Sequence, residues 1–146
     1  MKIRIKKLKE NAKLPTSGSA FAAGYDLYAC MEAQETVLAP HTTVMVGTGV
    51  AAAVPAGYFG GIFARSGLAA KQSLRPANCV GVVDSDYRGE LKVALHNDSD
   101  QDRRIENGER IAQLVVIPYL SLEFEEVAEL DETERGEGGF GHTGRK

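Results

Sequence analysis

The chain has 146 residues and a formal net charge of −3 at pH 7. This length suits one domain with a single core, and the slightly acidic balance gives no case for a surface that binds nucleic acid or membrane. Cys30 and Cys79 form no CxxC pair and are too few for a disulfide framework, which predicts a reducing compartment such as the cytoplasm. No stretch approaches the ~20 apolar residues of a membrane span, and the charged N-terminus is unlike a signal peptide.

The N-terminal part of the sequence predicts a series of short strands, because apolar and polar residues alternate in it. These stretches are residues 2–8, 21–29, 37–40 and 43–54. In the first of them, Ile3 and Ile5 are expected to face a core. Asp26 is unusual in the second, because an acid among small and aromatic residues is normally exposed or paired. Its simplest interpretation is an aspartate that ends a turn, and a functional carboxylate is the alternative.

A glycine-interrupted apolar strand over residues 58–64 leads into the triplet Arg65-Ser66-Gly67. We expect the strand to stop here and a short helix to begin. Backbone amides at such a junction, beside a hydroxyl and a guanidinium fork, suit a phosphate group. A serine that caps the helix next to a surface arginine explains the same triplet, so the triplet alone does not decide between the two.

The segment of residues 81–90 is difficult to explain as scaffold. An apolar run over residues 80–83 leads into its polar cluster and alternation resumes over residues 91–95, which predicts a β-hairpin. The tip of this hairpin carries two carboxylates, a phenol and a guanidinium, from Asp84, Asp86, Tyr87 and Arg88. An ordinary turn needs only one or two turn-forming residues. A solvated loop whose aspartates cap the turn is the alternative to a functional site.

The C-terminal part of the sequence predicts three further strands, the first a short one over residues 103–105, and a tail. Gln113 interrupts an apolar strand over residues 111–118, where it needs a partner from either a core amide network or a ligand. Alternation over residues 121–127 predicts a last strand. Residues 135–146 are rich in glycine and by themselves suggest a disordered end, but an aromatic, a hydroxyl and basic residues among the glycines suit a flexible lid. His96 has no second histidine at ligand spacing, so no zinc site is expected.

Many short strands, frequent turn residues and little helix predict an all-β protein. The expected architecture is a jelly-roll-like sandwich or barrel with one short helix and a flexible glycine-rich C-terminal lid. The sequence contains neither a GxxxxGK[ST] phosphate loop nor a Rossmann fingerprint, so any nucleotide would have to be bound in another way.

Five segments closely resemble, in order, the motifs of the homotrimeric dUTPase family, the dUTP nucleotidohydrolases. They are residues 23–29 (AGYDLYA), 65–69 (RSGLA), 81–90 (GVVDSDYRGE), 108–114 (GERIAQL) and 135–144 (RGEGGFGHTG). The resemblance implies a jelly-roll homotrimer with shared active sites at its subunit interfaces. Residues 1–134 would form the β-domain, and residues 135–146 its flexible lid. It also implies Mg²⁺-dependent hydrolysis of dUTP to dUMP and pyrophosphate, which removes dUTP from the DNA precursor pool and supplies dUMP for dTTP synthesis.

The same resemblance assigns catalytic roles. By analogy, Asp84 activates the water that attacks the α-phosphorus. Asp26 would orient Arg65 or a metal-bound water, and Gln113 completes the catalytic set. Tyr87 would pack against the deoxyribose and reject a 2′-hydroxyl by shape. Mg²⁺ would be held by the triphosphate and water, without a direct protein ligand.

The resemblance also assigns substrate contacts. The uracil edge would be bound by Asn78, Gly81 and Val83. The triphosphate would be bound by Arg65, Ser66 and Gly67, together with Gln113. The lid would contribute Arg135, Phe140, Gly141 and Thr143. His142 stands where the family usually has serine, and a ring N–H is the only donor that it offers in place of the hydroxyl.

Three other interpretations are open. The dCTP deaminase family shares the fold, but it needs a general acid/base for attack on the cytosine ring, and the Asp-x-x-Tyr-Arg-Gly segment resembles the hydrolase instead. A dUTP-responsive regulator would bind the nucleotide and switch a protein partner, which is compatible with the same residues. A purely structural β-domain leaves the order of Arg135, Phe140 and Thr143 in a glycine-rich tail unexplained.

Overall fold

The structure is a computed structural model that describes residues 1–139. Within this range the chain forms twelve β-strands and one short helix, and no helix there is long and apolar enough to cross a membrane. The strands are β1 Arg4–Lys7, β2 Thr16–Ser17, β3 Tyr25–Tyr28, β4 Glu35–Leu38, β5 Thr43–Gly47, β6 Val50–Ala53, β7 Tyr58–Phe63, β8 Leu74–Pro76, β9 Gly81–Val83, β10 Lys92–Asn97, β11 Arg103–Glu106 and β12 Arg110–Pro118, and the helix is α1 Ser66–Gln72.

The strands form four small sheets around one core. The largest sheet has the order β2-β3-β12-β7-β9, a second has the order β5-β10-β8, and the pairs β1-β6 and β11-β4 complete the set. Their inward side chains form a single apolar cluster, in which Leu27, Leu38, Leu95 and Ile105 are at most 1% exposed. Burial of each such side chain contributes about 1.5–3 kcal/mol. The all-β, jelly-roll-like architecture with one short helix is therefore confirmed.

The register of the five-stranded sheet places polar residues of separate sequence motifs side by side. Gln113 on β12 lies opposite Asp26 on β3 and opposite Phe63 on β7. A bulge between Arg110 and Ala112 interrupts the pairing of β3 with β12, and such bulges re-aim side chains. Asp26 and Gln113, which are about 90 positions apart in the sequence, therefore lie in one region of the sheet.

The segment of residues 81–90 does not form the predicted hairpin. β9 pairs with β7, whereas β10 pairs with β5 and β8 in a different sheet. The hairpin prediction was wrong because turn residues indicate that the chain changes direction but not which strands pair. The connection instead carries the chain from one sheet to another, and the backbone N–H of Tyr87 donates to the carbonyl oxygen of Asp84 at 3.2 Å within it.

Residues 119–139 follow β12 and contain no strand, so the strand predicted over residues 121–127 was wrong. Alternation supplies the side-chain pattern of a strand, but a strand also needs a neighbour for its backbone hydrogen bonds. Leu120, Leu122 and Phe124 are 84, 67 and 91% exposed. A single copy of the chain therefore leaves an apolar row on this segment open to solvent.

A buried asparagine, Asn97, fixes the loop that follows β10. It is fully buried, and its Nδ2 donates to the carbonyl oxygens of Leu38 and Gln101 at 2.9 and 2.8 Å. Its Oδ1 accepts from the backbone N–H of Ser99 at 2.9 Å. Because a buried amide is costly unless it is hydrogen-bonded, this network holds the loop on both sides of Asp98.

Candidate active site

The first group of predicted site residues lines a cavity of about 750 Å³, which we call the Arg65 cavity. Its predicted members are Asp26, Arg65, Ser66, Gly67 and Gln113. They come from β3, from the junction of β7 and α1, and from β12. The fold therefore brings three of the five motif segments together in one place.

Two guanidinium groups share the carboxylate of Asp26. Arg65 Nε donates to Oδ1 at 2.8 Å, and Arg110 Nη1 donates to Oδ2 at 3.2 Å. Arg65 Nη1 also donates to the carbonyl oxygen of Arg110 at 3.2 Å. Asp26 is 16% exposed and Arg65 is 26% exposed, so solvent screens this pair only in part. Two cations against one anion leave a net positive charge beside the cavity, which favours an anionic ligand.

Gln113 and Gly24 approach each other closely. The Gln113 amide nitrogen donates to the carbonyl oxygen of Ala64 at 2.9 Å, which directs Oε1 towards Gly24. A Cβ at position 24 would lie 2.1 Å from that oxygen. A side chain at position 24 would therefore have to displace the Gln113 amide, so the restriction comes from a contact rather than from the backbone conformation. The structure fits both interpretations of Gln113. The chain supplies a partner for the amide nitrogen, and the side chain also lines the Arg65 cavity, where a ligand could contact it.

The predicted helix begins at Ser66, as expected from the sequence. Its N-cap is Arg65, with φ −84° and ψ 129°, and no side chain caps it, so the interpretation of Ser66 as the capping residue was wrong. Amides in a first helical turn have no acceptor within the helix. Ser66 and Gly67 are both exposed, and a Cβ at Gly67 would meet no atom of residues 1–139 within 4 Å. Within the described residues this corner of the cavity is therefore open.

The second group lines a separate cavity of about 340 Å³, which we call the Asp84 cavity. Its predicted members are Asn78, Gly81, Val83, Asp84 and Tyr87. Within the described residues β9 is the edge strand of its sheet, so one side of its backbone keeps free N–H and C=O groups. Such an edge can complement the donor and acceptor pattern of a flat heterocycle.

Neighbouring residues hold Tyr87 in place. Its hydroxyl donates to the carbonyl oxygen of Glu90 at 3.0 Å, and the Glu90 carboxylate accepts from the backbone N–H of Gly49 at 2.8 Å. Arg88 Nη1 donates to the carbonyl oxygen of Tyr87 at 2.8 Å. A Cβ at Gly89 would lie 2.4 Å from the Tyr87 hydroxyl oxygen. The ring position therefore depends on a glycine two residues further along the chain.

The structure does not bring all the predicted residues together. The Arg65 cavity and the Asp84 cavity are distinct in one chain, and the turn between β8 and β9 lies between them, with Cys79 lining the first and Asn78 lining the second. Arg135 lines neither cavity, and its Nε donates to the carbonyl oxygen of Gly138 at 2.7 Å. The predicted positions Phe140, Gly141 and Thr143 lie outside the described residues.

Sequence reasoning missed several residues of these cavities. Arg110 lies in the motif of residues 108–114, but the sequence did not indicate that it is the second partner of Asp26. Cys79 has a φ of 62°, which its sequence context does not signal because no glycine or asparagine occupies the position. Glu90 is the last residue of the motif of residues 81–90, and its position directly after Tyr87-Arg88-Gly89 is the signal that could have identified it.

The described residues contain no group of three or more His, Cys, Asp or Glu side chains that could hold a metal ion. The Asp26 carboxylate, the acid of the Arg65 cavity, already accepts hydrogen bonds at both oxygens. Carboxylate oxygens are the ligands that Mg²⁺ prefers. Among the described residues that line this cavity Asp26 is the one carboxylate, and both of its oxygens accept hydrogen bonds from guanidinium groups.

Comparison with known proteins gives a consistent result. A family model described as dUTPase matches residues 10–144. Proteins named deoxyuridine 5′-triphosphate nucleotidohydrolase from Syntrophotalea carbinolica and from a Hydrogenobaculum species are 48% and 47% identical to this chain, over 97% and 100% of its length and 96% and 100% of theirs. The solved dUTPase of Staphylococcus bacteriophage 80alpha with dUPNHPP is 33% identical, with a TM-score of 0.88 over 98% of each chain. The chain therefore belongs to the dUTPase family.

Proposed function

We propose that this protein hydrolyses dUTP to dUMP and pyrophosphate, in the cytoplasm or another reducing compartment. The observation that carries the proposal is the common position of Asp84, Tyr87 and Asn78 around one cavity beside a sheet edge. The names of its curated relatives support the same reaction. In a cell this reaction would remove dUTP from the DNA precursor pool and supply dUMP for dTTP synthesis.

In the proposed reaction Asp84 acts as the general base. Its carboxylate accepts a proton from a water molecule while the water oxygen forms a bond to the α-phosphorus. The bond from that phosphorus to the oxygen that bridges it to the β-phosphorus breaks, and pyrophosphate leaves with the electron pair. Asp84 is exposed on the wall of the cavity, so an incoming water can reach it.

The uracil edge would pair with the free edge of β9, at Gly81 and Val83, and with the Asn78 amide. Uracil presents one N–H between two carbonyl oxygens, which backbone groups of a strand can complement. Cytosine carries an amino group in place of one carbonyl, so a donor would face a donor. A site built in this way rejects dCTP because polar groups would be left unpaired.

The deoxyribose would pack against the ring of Tyr87, and this contact predicts the effect of Gly89→Ala. The new Cβ would lie 2.4 Å from the Tyr87 hydroxyl oxygen, so the ring must move. We expect the ratio of kcat/KM for dUTP to that for UTP to fall about tenfold or more. Tyr87→Phe is the control, since it keeps the ring and loses only the hydrogen bond to Glu90. An unchanged ratio in Gly89→Ala would contradict the sugar assignment.

The triphosphate would lie in an Arg65 cavity, where Arg65, Ser66, Gly67 and Gln113 supply charge and hydrogen bonds. The proposed role of Asp26 is to orient the Arg65 guanidinium through the 2.8 Å hydrogen bond to Nε. Arg135, Phe140, Gly141 and Thr143 are proposed to close over the bound nucleotide. The orientation and the charge of these side chains would determine the rate, because phosphoryl transfer depends on positioning and on electrostatic stabilisation of the phosphate oxygens.

Gly24→Ala tests the placement of Gln113. The added methyl group would displace the Gln113 amide, which is the flexible end of a side chain, so the fold should persist. We expect kcat/KM for dUTP to fall about 10²-fold, the usual scale for a misplaced catalytic contact. Gly18→Ala is a matched control, because Gly18 lines the same cavity and its Cβ would meet no atom of the described chain within 4 Å. Equal activity of the two variants would contradict the role of Gln113.

Mg²⁺ is proposed to enter as the complex with dUTP. The occupied carboxylate of Asp26 fits a cation whose ligands are triphosphate oxygens and water, rather than a protein cage. Bound in this way, Mg²⁺ would neutralise charge on the phosphate oxygens. The chain itself would contribute the orientation of the triphosphate through Arg65 and Ser66, and the proton acceptor through Asp84.

The protein is proposed to be a homotrimer with shared active sites. In one chain the residues proposed to bind the triphosphate and those proposed to bind the base line different cavities. A second copy that brings its Asp84 cavity against the Arg65 cavity of the first would complete a site. The exposed apolar side chains of Leu120, Leu122 and Phe124 support assembly, because such a row is seldom left in water.

The direct test is pyrophosphate release in the presence of Mg²⁺, with dUTP, UTP, dCTP and dTTP offered in parallel and the products identified. Release from dUTP alone is expected. Deamination of dCTP would instead indicate the chemistry of the dCTP deaminase family. Binding of dUTP without turnover would favour a nucleotide-responsive regulator.

A further inference from the structure

The turn between β8 and β9 carries Asn78, and a single guanidinium group spans it. We call residues 76–80 the Asn78 turn. Arg75 Nη1 donates to the carbonyl oxygens of Pro76 and Ala77 at 3.2 and 3.4 Å and lies 3.6 Å from Cys79 Sγ. One planar group thus contacts Pro76, Ala77 and Cys79, on both sides of Asn78.

The other side of the Arg75 guanidinium is held by Asp98. Nε donates to Oδ2 at 2.6 Å, and Nη2 donates to Oδ1 at 2.9 Å, which is a bidentate pair. The hydrogen bond from Arg75 holds the pKa of Asp98 below its usual value, so this carboxylate is charged at neutral pH. Asp98 is itself placed by the buried Asn97 network described above. The guanidinium is therefore fixed to the rigid end of β10.

The Asn78 turn is a strained segment that needs such support. Cys79 has a φ of 62°, a left-handed conformation that residues other than glycine rarely adopt. The backbone N–H of Cys79 donates to Pro76 O at 3.1 Å, and that of Val80 donates to Asn78 O at 2.7 Å. Pro76 is the one buried residue of the turn, and Ala77, Asn78, Cys79 and Val80 are all exposed, so burial holds the turn only at its first residue. We therefore expect the orientation of the Asn78 side chain to depend on the backbone of this turn, to which Arg75 donates hydrogen bonds.

We propose that Arg75, anchored by Asp98, is a positioning residue that sets the Asn78 amide in the Asp84 cavity and thereby the selectivity for the base. This proposal rests on the proposed function, because Asn78 is taken to contact uracil. Arg75 lines neither cavity, so we do not expect it to contact the nucleotide directly. Its effect is carried by the two carbonyl contacts at Pro76 and Ala77.

The kinetic test is a double-mutant cycle with Arg75→Met and Asn78→Ala. Arg75→Met should raise KM for dUTP about five- to tenfold with little change in kcat, and the preference for dUTP over dCTP should fall by a similar factor. The double variant should match Asn78→Ala alone, because one residue acts through the other. Arg104→Met is the matched control, since it breaks an exposed ion pair with Glu35 that lines neither cavity. Effects that multiply in the double variant, or equal KM values for Arg75→Met and Arg104→Met, would overturn the proposal.

A second measurement separates this proposal from the proposed function. Hydrogen exchange at the Cys79 and Val80 amides should accelerate about fivefold or more in Arg75→Met and in Asp98→Asn, but not in Arg104→Met. This readout needs no substrate, so it tests the anchor even if the wild-type protein releases no pyrophosphate from dUTP. Unchanged exchange in both variants would refute the anchor. Faster exchange with an unchanged KM and base preference would refute the positioning role alone.

Discussion

Replacing Asp84 with asparagine should reduce turnover of dUTP by about 10²- to 10⁴-fold, the range that a general base contributes. Asparagine keeps the size of the side chain but cannot accept the proton of the attacking water. Because Asp84 is exposed on the cavity wall, the change should leave the free energy of unfolding nearly the same. The measurement is kcat for pyrophosphate release, together with Kd for dUTP, which should stay within a few-fold of the wild-type value.

Asp86→Asn provides the control for this experiment. Asp86 follows two positions later on the same connection, but it lines a different cavity, with Arg4 and Arg88. The two variants therefore make the same chemical change on one loop. Wild-type turnover in Asp84→Asn, or an equal loss in Asp86→Asn, would show that Asp84 is not the base.

Deletion of residues 135–146 is expected to remove most activity and leave the β-domain folded. Among residues 1–139, all members of the apolar core and the side chains packed against it lie at or before Val116, so residues 135–139 are not part of that core. The residues proposed to close over the nucleotide, by contrast, all lie in the deleted segment. We expect kcat/KM for dUTP to fall about 10²-fold or more while Tm shifts by no more than a few degrees.

A shorter deletion, of Arg145 and Lys146 only, controls for the loss of terminal charge. It keeps the motif of residues 135–144 and should retain activity. For both proteins, the kinetics would be measured together with the thermal unfolding transition, which circular dichroism monitors. If the longer deletion unfolds the protein, the tail is a structural strap and the division into residues 1–134 and 135–146 is wrong.

Two polar side chains that the sequence singled out, Asp26 and Gln113, have the kind of partner that was expected, whereas the predicted strand connections were partly wrong. An acid at position 26 had to be exposed or paired, and the structure pairs it with Arg65 and Arg110. The simpler interpretation, an aspartate that ends a turn, was wrong, because Asp26 lies within β3. An amide at position 113 needed a partner, and Ala64 supplies one. Both expectations follow from the cost of burying an unpaired polar group, which depends little on the details of the fold.

The failures concern information that a local pattern does not contain. Turn residues around Asp84 did not reveal that β9 and β10 join different sheets, because strand pairing depends on distant segments. Alternation over residues 121–127 did not reveal that the segment has no strand neighbour in the described part of the chain. The Asn78 turn was also hidden, since its support comes from Asp98, about 20 positions away in sequence.

The separation of the two cavities has a consequence for mixtures of damaged proteins. If one copy contributes the Arg65 cavity to a site and another contributes the Asp84 cavity, a Gln113→Ala chain and an Asp84→Asn chain carry complementary lesions. Refolded together, they should form hybrid assemblies in which some sites contain two undamaged halves, so activity should reappear. Two variants with lesions in the same cavity should not rescue each other. In a cell that makes both a variant chain and the wild-type chain, the two would then assemble together. The activity of the mixed assemblies would depend on which cavity the variant alters.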